Sequence, residues 1–173
     1  LKEVIIPGTV QEIRADAFSY NTEIERVTIQ NGVLSIGNNA FRGCSSLKEI
    51  TIPDSVTIIG ERAFDSCTNL TKVQLSNNLQ TLESNIFTSC ANLSTINIPQ
   101  NLKEIKEYAF TGCRNLNNIT IPAGVTSITS SAFNKCTSLT NITIDPANQV
   151  YEIDESQPGI IYGKVNGVRT SLI

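Results

Sequence analysis

Five cysteines, sixteen carboxylates and no histidine are the side chains with which this 173-residue chain could do chemistry. A nucleophilic thiol needs a base to hold its proton, and the usual base is missing. No G-x-S-x-G elbow and no glycine-rich phosphate loop supplies another route. The carboxylates are numerous, yet Glu3, Glu12 and Glu49 fall at outward positions without converging, where a solvated face is the expected role. Cys44, Cys67, Cys90, Cys113 and Cys136 form no C-x-x-C pair, and without histidine they make no zinc set. The chain therefore reads as a non-enzyme with no cofactor and no metal.

The spacing of those cysteines points elsewhere. Each lies 23 residues from the next and three residues after a phenylalanine, and Phe18, Phe41, Phe64, Phe87, Phe110 and Phe133 are all the phenylalanines in the chain. Asn21 occupies the cysteine position of the first unit. Such phase-locking belongs to a stacked solenoid, in which every unit has the same job at the same place. Equal offsets put the thiols on one inward column, where free cysteine acts as a small apolar filler. Their parallel Cβ vectors do not suit the disulfide torsion, so reduced, inert thiols are expected.

The elements that would position these columns can be read from one unit, Leu47–Asn69. Each unit opens on L-x-x-I-x-I-P, as in Leu47, Ile50, Ile52 and Pro53, where period-two β-branched residues predict a strand that the proline ends. Gln30 and Ser76 replace that proline. A two-residue corner of turn formers follows, Asp54-Ser55 in this unit. A second apolar pair, Val56 and Ile59, predicts a shorter strand. The unit closes on A-F-x-x-C-x-x-L, whose apolar spacing predicts a short helix with Asn38, Ser84 or Ser130 available as an N-cap.

One coil cannot bury its own inward stripe, so the coils must stack with their strands in a parallel sheet. Residues 1–144 hold six full coils and a seventh strand. At the seventh, Asp145 replaces the proline and the A-F-x-x-C segment never arrives. Residues 145–173 read as a capping segment, with Asn166-Gly167 predicting a β-hairpin between strands at Ile160–Lys164 and Val168–Leu172.

The repeated I-P-x-x-V-x-x-I-x-x-x-A-F-x-x-C-x-x-L-x-x-I resembles the BspA-type, or treponemal-type, leucine-rich repeat. The resemblance covers about four fifths of the chain. It implies an α/β repeat solenoid, a right-handed leucine-rich-repeat superhelix with the parallel sheet on its concave side and short helices or turns opposite. It also implies a cell-surface or secreted binding or adhesion module. Asn21 for cysteine, Ile86 for alanine and Ser76 for proline depart from the pattern, and two of them make the fourth coil the expected irregular one.

Composition bounds the partners. At 40% apolar, 17% charged and a formal charge of −3, the chain is globular and offers no basic stripe to a phosphate backbone. No membrane span or signal peptide is visible, and a start in mid-pattern at Leu1 suggests a fragment. The surface left for function is the outward face of the first strands, their third and fifth residues. From Glu3 to Lys72 this face alternates charge. Further along it turns neutral, and Thr95, Asn97, Asn118, Thr120, Asn141 and Thr143 become the candidate contact set, suited to protein backbone or sugar hydroxyls. The expected partner of a monomer is a protein, a host extracellular-matrix or surface protein among them. A structural spacer and a carbohydrate binder are the alternatives, the latter disfavoured by the lack of tryptophan. Four Asn-x-Ser/Thr sequons, at Asn69, Asn92, Asn118 and Asn141, follow from outward Asn, Ser and Thr flanking a fixed Leu or Ile.

Overall fold

The computed structural model describes residues 2–153 and 161–163. Alternating exposed and buried residues make the first strand of each coil: β1 Glu3–Ile6, β3 Arg26–Ile29, β5 Glu49–Thr51, β7 Lys72–Gln74, β9 Thr95–Ile96, β11 Asn118–Ile121 and β13 Asn141–Ile144. The corner then turns the chain into the second strands: β2 Glu12–Ile13, β4 Ser35–Ile36, β6 Ile58–Ile59, β8 Thr81–Leu82, β10 Glu104–Ile105 and β12 Ser127–Ile128. All of these pairings are parallel and keep the 23-residue register, as in Val4↔Val27, Ile36↔Ile59 and Ile105↔Ile128. The chain is thus a parallel-strand β-solenoid of six turns. Its main sheet runs in three pieces, β1–β3, β5–β7–β9 and β11–β13, and its second sheet in two, β2–β4–β6 and β8–β10–β12. The breaks are staggered, so no coil boundary loses both sheets.

The A-F-x-x-C segment is not the helix its apolar spacing predicts. No α-helix occurs among the described residues, and the third side of each coil is a run of turns, so of the expected short helices or turns it is turns that are present and the α/β reading becomes an all-β one over these residues. The reason lies in where the N–H groups point. Asp16, Phe18 and Tyr20 donate to the carbonyls of Asn38, Ala40 and Arg42 in the next coil, and Asn39, Phe41 and Gly43 repeat this toward Glu61, Ala63 and Asp65. Alternate amides thus lie along the solenoid axis and cannot reach back four residues. The geometry forces two left-handed residues per coil in most coils, such as Asp16 and Tyr20 or Asn85 and Ser89, each with φ between 57° and 59°. The Asn38 side chain is likewise no N-cap, since its Oδ1 accepts from the Glu61 amide one coil on.

Magnitudes decide what holds this side. Left-handed residues other than glycine cost about 1–2 kcal/mol each, and net hydrogen bonds return about 0.5–1.5 kcal/mol each, so two of the first against three of the second nearly cancel. Burial provides the surplus. Phe41, Phe64, Phe87 and Phe110 are fully buried, as are Ala40, Ala63, Ala109 and their cysteines, and one fully buried side chain of phenylalanine size is worth about 1.5–3 kcal/mol. Successive rings stack with centroids 5.2 Å apart for Phe18–Phe41 and 5.3 Å for Phe110–Phe133.

Beyond β13 the chain bends back. Buried Asn148 donates through Nδ2 to the Pro122 and Val125 carbonyls and accepts through Oδ1 from the Val150 and Tyr151 amides. The Tyr151 hydroxyl accepts from the Ile128 amide at 2.8 Å and donates to the Thr126 carbonyl at 3.5 Å. At that carbonyl it stands where a further coil's amide would stand. Two short strands follow, β14 Tyr151–Ile153 and β15 Ile161–Gly163, paired antiparallel. The expected strand around Ile161 is therefore present, but its partner is Tyr151–Ile153. The expected turn at Asn166-Gly167 and the strand Val168–Leu172 lie outside the described residues.

The ring column generates a positional prediction. Phe87→Ala should cost about 3–5 kcal/mol in urea unfolding, the usual range for truncating a buried aromatic. Phe18→Ala should cost distinctly less, because Phe18 is half-buried and stacks on one ring only. Equal losses at the two sites would contradict a linear stack.

Candidate functional site

Two constellations could carry function, the thiol column and the outward face of the main sheet. Cys44, Cys67, Cys90 and Cys113 are buried, Cys136 is half-buried, and all five are free. Each thiol donates to the carbonyl of the phenylalanine in the preceding coil: Cys44 to Phe18 at 3.2 Å, Cys67 to Phe41 at 3.1 Å, Cys90 to Phe64 at 3.1 Å, Cys113 to Phe87 at 3.2 Å and Cys136 to Phe110 at 3.1 Å. The weak S–H donor therefore serves the stack and is not presented to a substrate. Burial pushes every one of these thiols up, Cys44 and Cys136 to about 11. Cys67, Cys90 and Cys113 are raised further by the same cause. A thiol held protonated has no nucleophile to offer at neutral pH. Among the described residues no group of three or more histidine, cysteine or carboxylate side chains is arranged to hold a metal ion.

The sheet face is built by strand geometry. Inward Val and Ile fix the phase, so the third and fifth residues of each unit must point to solvent. In the N-terminal half the charges neutralise one another. Glu25 bridges Lys2 at 2.9 Å and Lys48 at 3.5 Å, Arg26 approaches Glu3 at 3.7 Å, and Glu49 lies in register with Lys72. The Lys2 hydrogen bond holds the Glu25 carboxyl below the usual carboxylate range and raises Lys2 in turn. These side chains are largely exposed, and such surface pairs add little stability.

Past Lys72 the face is neutral. Asn118 lies in register with Asn141 and Thr120 with Thr143, and all four are exposed on β11 and β13. Thr95 is exposed too, but it belongs to the neighbouring piece of sheet, where it registers with Lys72. Asn97 is different. Its Oδ1 accepts from the Leu75 amide at 2.6 Å and its Nδ2 donates to the Leu75 carbonyl at 3.3 Å, so the side chain takes the place of a backbone rung. The consequence is a strand of only two residues at β9, and no pairing between β9 and β11. Four of the six sequence-derived residues are thus brought together, one sits apart, and Asn97 is committed to the fold.

Sequence reasoning overlooked the thiol bonds, the Asn97 bridge and the Asn148–Tyr151 lock. A fixed Cys three residues before Leu signalled burial but not a donor. Asn97 carried no signal, because asparagine is an ordinary residue on an outward face.

Six copies of the model described as BspA type Leucine rich repeat region match, over residues 1–113 and 34–157. Among solved structures, a leucine rich cell surface protein from Faecalibacterium prausnitzii A2-165 superposes with a TM-score of 0.84 at 37% identity, over 96% of this chain and 43% of that one. A leucine-rich repeat protein from Eubacterium ventriosum gives 0.81 at 29% identity, over 87% of this chain and 41% of that one. The T. pallidum leucine rich repeat protein gives 0.78 at 29% identity, over 82% and 69%. The chain thus spans less than half the length of the first two. No curated protein matches significantly.

The buried thiols set a pH dependence whose sign is fixed. Because their folded pKa lies above the ordinary value of 9, their contribution is complete below about pH 9. It should fall as pH rises toward 11, where Cys44 and Cys136 ionise in the fold. Urea midpoints measured from pH 7 to 11 should stay level and then drop above 9. At pH 7 a thiol reagent should find fewer than about one reactive group without denaturant and all five with it. A midpoint rising above pH 9, or rapid labelling of the native chain, would contradict the packing.

Proposed function

The chain belongs to the BspA-type leucine-rich repeat family, and from that premise we propose that it is a binding module of a bacterial cell-surface or secreted protein. Its contact surface is the outward face of the main sheet, used for protein–protein interaction, adhesion to host matrix or surface proteins included. The observation that carries this reading is the in-register, exposed pair of Asn and Thr columns on β11 and β13. Four short donor–acceptor side chains on adjacent parallel strands form a neutral patch about 4.8 Å by 7 Å in spacing, matched to the amides and carbonyls of a partner backbone. Thr95 extends it at the edge. The F. prausnitzii neighbour, described as a cell surface protein, lends the surface location. Residues 145–173 are read with it as a cap, supported by the hydrogen bonds of Asn148 and Tyr151 to the sixth coil.

The N-terminal half of the face is the poorer surface, since its charges already satisfy one another. Each Asn or Thr contact is worth about 0.5–1.5 kcal/mol, so affinity should need several of them together.

The test is a binding screen of the chain against extracellular-matrix proteins and glycan arrays, followed by Asn118→Lys with Thr143→Lys. A protein ligand is expected, and the double variant should weaken it at least about tenfold with an unchanged melting temperature. Binding that survives the double variant would move the contact surface elsewhere. Glycan binding alone would favour the carbohydrate reading, and a chain that binds nothing would favour the structural spacer.

A further inference from the structure

The fourth coil carries a much larger residue than its neighbours at one buried position of its turn side. Ile86 stands where Ala40, Ala63, Ala109 and Ala132 stand, all fully buried, so three extra carbons must fit inside the fourth coil. Their effect is visible on each side of the coil. Phe87 is 5.6 Å from both Phe64 and Phe110 with interplanar angles of 11° and 18°, while the other rings are 5.2 to 5.4 Å apart and within 5° of parallel. The turn-side bonds of Arg62, Phe64 and Ser66 to the fourth coil measure 3.1, 3.0 and 2.8 Å. Those of Asn39, Phe41 and Gly43, one coil earlier, measure 2.9, 2.8 and 2.7 Å.

The second sheet parts at the same boundary. Elsewhere its flanks are closed by rungs such as Thr57 N–H to Leu34 O, Gly60 N–H to Ile36 O, Lys103 N–H to Gln80 O and Lys106 N–H to Leu82 O. No counterpart joins Gln80 N–H to Thr57 O or Glu83 N–H to Ile59 O, and β6 and β8 do not pair among the described residues. A recess opens there, lined by Thr57, Ile58, Asn78, Gln80, Thr81 and Glu83, with Ile58 62% exposed. Glu83 is drawn the other way, bonded to Lys106 at 2.7 Å.

The main sheet and the corner stay joined across the same boundary. On the main sheet, β5 pairs with β7 over Glu49↔Lys72, Ile50↔Val73 and Thr51↔Gln74. At the corner, buried Ser76 replaces the usual proline and donates to the Val56 carbonyl at 2.6 Å, and Asn77 and Asn78 both bond to Asp54. We infer that the boundary between the third and fourth coils is a one-sided hinge: the main sheet and corner hold, and the second sheet opens because Ile86 wedges it. Opening there would bend the array about the uninterrupted β5–β7–β9 piece. A residue that adds volume inside one repeat is thereby converted into a defined place to flex.

Native-state hydrogen exchange tests this residue by residue. The Gln80 and Glu83 amides should exchange at least about tenfold faster than those of Lys103 and Lys106, which occupy the same positions one coil later. Ile86→Ala restores the repeat and should bring Glu83 to the protection of Lys106. Ala109→Ile should add a second opening one coil on, exposing the Lys103 and Lys106 amides while main-sheet amides stay protected. The second variant decides alone should the first fail to fold. Equal protection at the two boundaries in the unmodified chain would overturn the hinge, and fast exchange at Gln80 that neither variant alters would overturn the wedge.

Discussion

Everything in this molecule depends on hydrogen bonding from one coil to the next. A 23-residue coil has too little interior to bury its own apolar stripe, so each must present backbone donors and acceptors along the solenoid axis and have them met by its neighbours. On two sides this gives ordinary parallel strands. On the third, alternate amides of the A-F-x-x-C segment turn toward the next coil, as Phe18 does to Ala40 and Phe87 to Ala109. That demand explains features that otherwise look unrelated. It excludes a helix, it places Arg62 and Tyr108 at φ values of 56° and 58° that side chains of their size avoid, and it leaves the phenylalanine carbonyls within reach of the following cysteine thiols.

Columns were the legible part of the sequence. Phenylalanine, cysteine, leucine and the Val/Ile pairs announce their inward direction by recurring at one offset, and the structure buries them in that order from Val33 to Ile128. The coil number, the strand phase and the parallel register follow from them. What stayed hidden depends on the direction of N–H and C=O groups, which no side chain type encodes. The spacing i, i+1, i+4, i+7 fits a helix face, and it fits equally a chain of turns whose alternate amides are spent on the next coil. Ile86 is an instructive case, since the sequence marks the fourth coil as irregular, whereas the location of the damage, the second sheet and not the first, requires the coordinates.

The outward face was legible only as a list. Period-two alternation puts Thr95, Asn97, Asn118, Thr120, Asn141 and Thr143 on one side, and it cannot say that Asn97 folds its amide onto Leu75. Asparagine is unusual in carrying both halves of a backbone rung, so an outward asparagine can be captured by the fold where threonine cannot. Charge behaves similarly. The alternation from Glu3 to Lys72 reads as a mixed surface, and in three dimensions it becomes pairs that screen one another, leaving the neutral half as the face with hydrogen-bonding capacity to spare.

Each coil of a linear stack interacts with its immediate neighbours alone, and removal of one coil measures that directly. Deleting Leu47–Asn69 joins the second coil to the fourth in register, with Phe41 and Phe64-equivalent contacts replaced by Phe41 on Phe87. The shortened chain should fold, keep its β-rich circular dichroism and unfold in urea with an m-value lower by roughly one eighth, in proportion to the 23 of 173 residues removed. A chain that no longer folds, or an unchanged m-value, would show that the coils form a single indivisible core and contradict the linear stack.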